Sequence, residues 1–285
     1  MLNLAWDEGA RLLKDLDSSG YYGVDREEVA PGYWDAARQQ LATALTLAHQ
    51  GAEFLLKSRI VAVSPYLLIA GQARDWPKRC AQGDTPFAEF RTLAAQDLVK
   101  VHDTVCKSPL DPKVVEELDS IRRKRNLITH TFDQRIRIEI NDLLVSVLTI
   151  HSALCPEEGW VSVRAQHLSS SPISELHSAD HVNGETVWEF ALVVDTLDAS
   201  NLVRFFGFDK TKNRYICRGC QTAAQDNDAT PLSSTFLEDQ AEPPEVWCFV
   251  CGERERVARK LCGKDSCSGD IQAIEDGICL SCGAS

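Results

Sequence analysis

Eight of the eleven cysteines in this 285-residue chain lie after residue 216, and they come in pairs. The pairs are Cys217-x2-Cys220, Cys248-x2-Cys251, Cys262-x4-Cys267 and Cys279-x2-Cys282. A short turn with two cysteines offers two thiolates to one metal, and zinc prefers four such ligands in a tetrahedron. Gly252 and Gly283 directly follow two of the pairs, where a residue without Cβ lets the backbone wrap close to an ion. These are zinc-ribbon knuckles in form. Free buried cysteines are the competing reading, and the polar flanks of most of these positions argue against it. The simplest assignment is two sequential sites, one of Cys217, Cys220, Cys248 and Cys251 and one of Cys262, Cys267, Cys279 and Cys282. The first closes a long loop, so an interleaved arrangement stays open. Four protein ligands leave no position for water, so both zinc ions are expected to be structural. Their binding would supply folding energy to a module with little apolar core of its own.

The compartment follows from the same residues. Met1 to Arg11 carry acids and no basic stretch ahead of an apolar run, which predicts no secretory signal. Paired cysteines in a reducing, cytoplasmic setting read as metal ligands rather than disulfides. The apolar stretch Ile60 to Ala70 is broken by Ser64 and Pro65, and no run is long enough for a membrane span. Cys80, Cys106 and Cys155 stand alone and are expected in the core.

Residues 1–155 read as helices. Leu41, Leu45, Ala48, Ala52 and Leu55 recur at steps of three and four. Ser64-Pro65, Thr85-Pro86 and Asp111-Pro112 each set a capping side chain before a proline suited to a first helical turn. A helix from Thr85 would carry Phe87, Phe90, Ala94, Leu98, Val101 and Val105 on one face. The helix from Asp111 would carry Leu118, Ile121, Ile128 and Phe132, and a last one Ile136, Ile140, Leu143, Val147, Ile150 and Leu154. Short connections favour an antiparallel bundle.

Residues 156–214 read as a β-containing connecting region. Trp188 to Leu197 is rich in β-branched and aromatic residues, and Val203 to Phe208 and Arg214 to Cys217 are shorter strand candidates. Ser169 to Asn183 reads as loop, and the polar stretch Gln221 to Val246 as flexible. Residues 215–285 form the double zinc-ribbon module. The expected fold class is therefore an all-α bundle followed by a small β-containing region with zinc ribbons.

The formal charge of −12 argues against a broad nucleic-acid-coating surface. The basic charge is instead local. From Ser120 to Ile138 there are six basic residues (Arg122, Arg123, Lys124, Arg125, Arg135 and Arg137) and one acid, Asp133. Arg125 falls in the middle of the apolar stripe of its helix, where an unpaired guanidinium is costly. It must reach solvent, pair with an acid, or face a second subunit or ligand. Asn126 and His130 are four apart on an adjacent face, so Asn126 can orient the imidazole. Histidine moves protons near neutral pH, and arginine stabilises charge on phosphate oxygens. Spacing alone equally describes a solvated basic helix with a structural histidine.

Arg125-Asn126-Leu127-Ile128-Thr129-His130 resembles the R-x4-6-H motif of the HEPN superfamily, including its usual polar residue after the arginine. His49 to Ile60 resembles the long early HEPN helix, and the likeness covers residues 1–155. It implies a metal-independent endoribonuclease acting as a homodimer, with Arg125 and His130 catalytic and Asn126 supporting them. Arg122, Arg123 and Lys124 would bind RNA, and the products would be a 2′,3′-cyclic phosphate and a 5′-hydroxyl. Many members are toxins or antiphage effectors. Some carry a tyrosine, the site of inactivating modification, where this chain has Phe132, which points to control by another route.

The zinc module would then recognise RNA or hold a regulatory protein. Trp247 and Phe249 flank one knuckle, and Arg254, Arg256, Arg259, Lys260 and Lys264 follow it, a combination that can stack on bases and attract phosphates. Aromatics packing the ribbon beneath a solvated basic face is the slightly preferred reading. The alternative function is an inactive helical dimer presenting zinc ribbons as an adaptor. A sequence-specific DNA-binding regulator is weaker, since no helix-turn-helix pattern is evident.

Overall fold

The computed structural model describes residues 1–78, 83–131, 137–177, 179–225, 233–238 and 242–284, with side chains at 129–131, 179, 180 and 225 outside that description. The described chain is mostly helical, with a small four-stranded antiparallel sheet near its end. It divides into two compact units, one of residues 1–9 and 34–156, the other of residues 10–33 and 157–285.

In the first unit the long helix α3 (Arg38–Val63) packs against α4 (Ala95–Val105), α5 (Pro112–Thr131) and α6 (Ile140–Leu154). The elements α1 (Leu2–Asp17) and α2 (Arg26–Ala36) precede it in the chain. The buried face of α3 is Leu41, Leu45, Ala48, Ala52, Leu56 and Ile60. This is the expected helical stripe, carried on by Leu56, while Leu55 is only half-buried. Facing it are Leu98 of α4, Leu118 and Ile121 of α5, and Leu143, Leu144, Val147 and Ile150 of α6. The first turn of α5 is capped by Asp111, whose carboxylate accepts from the Lys113 amide at 2.8 Å. Arg59 donates from α3 to the Ala153 and Leu154 carbonyls at 3.3 and 3.1 Å. A cation thus satisfies the free carbonyl end of α6.

Two expected helix starts are corrected. Ser64-Pro65 and Thr85-Pro86 begin only single 3-10 turns, Pro65–Leu68 and Phe87–Glu89. The true helix α4 starts at Ala95, because Leu93 and Ala70 are tied into backbone pairing with Leu68 and Arg91. Cys106 and Cys155 are half-buried rather than core, and Cys80 and Phe132 lie outside the described residues.

The second unit overturns the β reading of residues 156–214. Trp188 to Thr196 belongs to α8 (Ala179–Thr196), and Val203 to Phe206 to α9 (Ala199–Phe206), with Leu197, Gly207 and Phe208 just past the helix ends and α7 (Trp160–Ser169) before them. Buried Thr186, Phe190, Val193 and Leu197 recur at helical steps. Glu189 falls on the same side and meets Arg164 of α7 in a two-pronged ion pair at 2.8 and 3.0 Å, both side chains almost wholly buried. A helix lets Glu185 and Glu189, four apart, reach Lys14 and Arg164 respectively; a strand would spread them along an edge. Tertiary pairing has overridden β propensity. Asp198 caps α9, accepting from the Asn201 amide at 2.8 Å.

α10 (Arg218–Gln225) packs on α8. The sheet follows as β1 (Thr235–Glu238), β2 (Glu245–Cys248), β3 (Arg254–Arg259) and β4 (Ile271–Ala273), in that spatial order. β1 falls inside the stretch expected to be flexible, because Thr235, Phe236 and Leu237 find partners in Cys248, Trp247 and Val246. Arg214 to Cys217 forms only an isolated bridge, Tyr215 to Thr235.

Candidate metal centres and the Arg125 helix

The eight paired cysteines gather into two groups of four. Cys217, Cys220, Cys248 and Cys251 form one and Cys262, Cys267, Cys279 and Cys282 the other, with the sulfurs of each group within 4.8 Å of one another. Four thiolates around zinc at about 2.3 Å stand roughly 3.8 Å apart along the edges of the tetrahedron. The observed Sγ separations match: 3.5 Å for Cys217–Cys251, 3.7 Å for Cys220–Cys248, 3.7 Å for Cys262–Cys282 and 3.9 Å for Cys267–Cys279. A disulfide would need about 2.05 Å, so these are not bridges. The donor set and its spacing fit a tetrahedral structural metal such as zinc.

Local folding explains how each group assembles. Cys217 and Cys220 sit at the start of α10, while Cys248 ends β2 and Cys251 lies in the turn to β3. The turn closes through the Gly252 amide, which donates to the Cys248 carbonyl at 2.9 Å, with Gly252 at φ +75°. In the second group Cys262 and Cys267 lie between β3 and β4, and Cys279 and Cys282 follow β4. Gly283, at φ +73°, makes the matching turn, its amide donating to the Cys279 carbonyl at 2.8 Å. Backbone amides also aim at sulfur, Lys264 to Cys262 at 3.5 Å and Gly269 to Cys267 at 3.3 Å. Burial opposes ionisation of Cys279, yet the Ser281 and Cys282 amides and its neighbouring thiols draw it down to about 7. Such donors orient the sulfurs towards one another.

The basic residues after the second pair are largely occupied. Arg254 pairs with Glu238 and lies 3.8 Å from Glu245, Arg256 lies 3.9 Å from Glu245, and Arg259 lies 3.6 Å from Asp270. Phe249 is buried in an aromatic cluster, 5.0 Å from Phe208 and 6.1 Å from Phe206 between centroids. Here the aromatic packs the module beneath a face whose arginines meet acids, while Lys260 and Lys264 are exposed, and Trp247 is half-buried.

α5 carries the other candidate residues. Arg125 is half-buried and donates from Nη1 to the Asn126 side-chain oxygen at 2.9 Å. Arg122 reaches Asp119 at 3.0 Å, Arg123 donates to the Asp119 carbonyl at 3.3 Å, and Lys124 lies 3.4 Å from Asp142. The backbone of His130 is in α5, while its side chain, like residues 132–136, lies outside the described residues.

Sequence reasoning missed His49, seen there only as part of a helix. It is buried on α3, and its Nδ1 lies 3.3 Å from a Glu53 carboxylate oxygen without the alignment of a hydrogen bond. Burial pushes its pKa below the usual value. Glu53 opposes the shift, and the nearby charges of Arg125 and Arg122 add to it. His49, Glu53, Lys100, Asp119 and Arg122 line a cavity of about 250 Å³ floored by Ala52, Leu56 and Leu118. The signal available in the sequence was His49 and Glu53 at helical spacing within an apolar stripe.

No protein-family model, no curated protein and no solved structure matches this chain. No described helix is long and apolar enough to cross a membrane.

Proposed function

We propose that the chain is an endoribonuclease of HEPN type, cytoplasmic and acting as a homodimer in a toxin or antiphage role, with two structural zinc ions in its C-terminal module. One observation carries this reading. Arg125, Asn126 and His130 fall within six residues of one helix, Arg125 is held by Asn126, and the same helix borders a cavity lined by Arg122 and the buried His49. In the proposed reaction the RNA 2′-hydroxyl attacks the adjacent phosphorus, its proton is taken up by a histidine, and the 5′-oxygen leaves with a proton. Arg125 stabilises charge on the phosphoryl oxygens, and Arg122, Arg123 and Lys124 attract the backbone. The HEPN resemblance implies that none of these steps needs a metal. A second protomer would complete the cleft, and the zinc module would select RNA or hold a regulator.

The test is cleavage of total RNA and tRNA by purified protein without added divalent metal. Wild type should yield cyclic-phosphate ends, and Arg125→Ala and His130→Ala should each lower the rate by about 100-fold or more, the scale of one lost acid–base or charge-stabilising group. Equal cleavage by all three proteins, or by a dilute monomer, would defeat the composite site. Strong chelators are to be avoided, since they would strip the cysteine groups.

A second reading has its own support. The acids Asp119 and Asp142 already neutralise part of the basic cluster. That suits an inactive helical dimer that presents its zinc ribbons as an adaptor. It predicts that His130→Ala leaves the biological effect intact and Cys248→Ser abolishes it.

A further inference from the structure

The second unit contains a cavity of about 930 Å³ whose lining includes Trp160, Phe205 and Trp247, with Asn183 and Thr186 among its polar groups. Its volume lies in the range of organic ligand sites. The charge of the lining is one-sided. Among the described residues it includes Glu253 and two members of the first cysteine group, Cys220 and Cys251, and no lysine, arginine or histidine. Four thiolates around one divalent ion carry a net charge of −2, so a loaded centre adds to the negative field of Glu253.

Glu253 is exposed, and several acids around it are engaged. Glu238, Glu245, Glu255, Asp270 and Asp276 all pair with arginines. Glu253 has no cationic partner among the described residues, although it stands beside them at the turn between β2 and β3. Its carboxylate rests against Gly219: a Cβ built there would lie 2.9 Å from Oε2. Arg204 stacks on Phe205 at 4.6 Å but is not part of the lining.

We propose that this cavity binds a basic side chain, lysine or arginine, presented on a peptide segment of a partner protein. The half-buried Trp247 and Phe205 bring aromatic surface to the lining, which attracts a cation, and the Glu253 carboxylate completes the match. The volume exceeds what one side chain fills, leaving room for apolar neighbours in the peptide. A nucleotide is disfavoured because nothing in the lining neutralises phosphate. This proposal does not depend on the ribonuclease reading.

The experiment titrates zinc-loaded full-length protein and follows the indole N–H signals of Trp160 and Trp247 by NMR. The probes are N-acetyl-lysine methylamide, its norleucine and glutamate counterparts, n-butylamine and adenosine monophosphate, each to about 20 mM, above the millimolar range of weak but real binding. The lysine probe should shift both signals saturably and bind at least about tenfold more tightly than the others, a gap of one decade in Kd. Glu253→Gln should weaken it by a similar factor, and Gly219→Ala, which displaces the same carboxylate, should do likewise. Both variants should keep two zinc ions per chain, which separates lost binding from lost folding. The proposal is overturned if the norleucine probe binds as well as lysine, if adenosine monophosphate is preferred, or if Glu253→Gln binds unchanged. Equal binding of n-butylamine would assign the site to free amines and end the peptide proposal, as would the absence of any saturable shift.

Discussion

The first unit and the sheet at the end of the second are held by different physics. Around α3, apolar side chains from α4, α5 and α6 interlock over many turns, with Leu45, Ile60, Leu98, Ile121, Leu143 and Ile150 almost fully buried. Among the described residues the sheet's core cluster is small, Tyr215, Val246, Val257, Ile271, Ala273 and Leu280 with Leu237 packed beside it. So small a core cannot offset the entropy of ordering four short strands and their long connections. The two cysteine groups stand at the ends of the strands and the start of α10, where a bound metal such as zinc would offset that deficit. The comparison teaches that a helical bundle can be stabilised continuously along its stripes, whereas a ribbon is stabilised at points.

Cys248→Ser should test this contrast most severely. Metal binding at such sites is worth on the order of 10–16 kcal/mol, so losing one ligand should cost the sheet its fold. Fluorotryptophan NMR separates the units, since Trp6, Trp34 and Trp76 lie in the first and Trp160, Trp188 and Trp247 in the second. Trp247 should lose its native signal and the bound metal should fall from two to one, while Trp6 and Trp34 stay native. Loss of the Trp6 signal as well would break the comparison.

Next in size is the buried Arg164–Glu189 pair, which makes the helical part of the second unit unlike either extreme. Glu189→Leu leaves a buried guanidinium without its partner and should cost about 3–5 kcal/mol. Arg164→Leu with Glu189→Leu should recover most of that loss in a denaturant titration, because removing both charges removes the desolvation penalty. A double variant no better than the single one would show that the pair, not its burial, is the stabilising element. In the first unit Leu144→Ala should cost about 2–5 kcal/mol through the cavity it leaves, read as a lower midpoint for Trp6 with Trp247 unmoved.

The smallest effect concerns pH. His49 has a folded pKa below its unfolded value near 6.5, so at lower pH the unfolded chain binds the extra proton and the folded one resists it. Its contribution is absent above about pH 7.5 and becomes destabilising as pH falls through about 6.5, levelling off below the folded pKa. His49→Gln should therefore flatten the loss of first-unit stability between pH 7 and 5.5, measured as the midpoint difference between variant and wild type. An unchanged slope would mean that the imidazole is already solvated.

The two regions also differ in how far they could be read from residues alone. A Cys-x2-Cys pair is legible because metal coordination is set by a few neighbouring atoms, so spacing in the chain translates directly into spacing of sulfurs. The helix from Asp111 and the stripe on α3 were legible because capping and helical period are also local. The run Trp188 to Leu197 was not. Its β-branched residues suit a strand, and the partners that accompany the helix, Arg164 against Glu189 and the packing of α7 and α10 on α8, come from elsewhere in the chain. Likewise Thr85-Pro86 has the form of a helix start, but the pairing of Leu93 with Leu68 defers the helix to Ala95.

The sequence by itself therefore determined the helical character of α3, α5 and α6, the presence of two four-cysteine groups and the position of the Arg125-Asn126 segment on a helix. The tertiary structure decided the rest. It showed that residues 160–169, 179–196 and 199–206 are helical, that the arginines after Cys251 meet acids, that Phe249 is buried, and that His49 lines a cavity with Arg122. The physical reason is range. Coordination spacing, capping and amphipathic period are written within a few residues of one another, whereas burial, ion pairing and cavities depend on groups brought together from far along the chain.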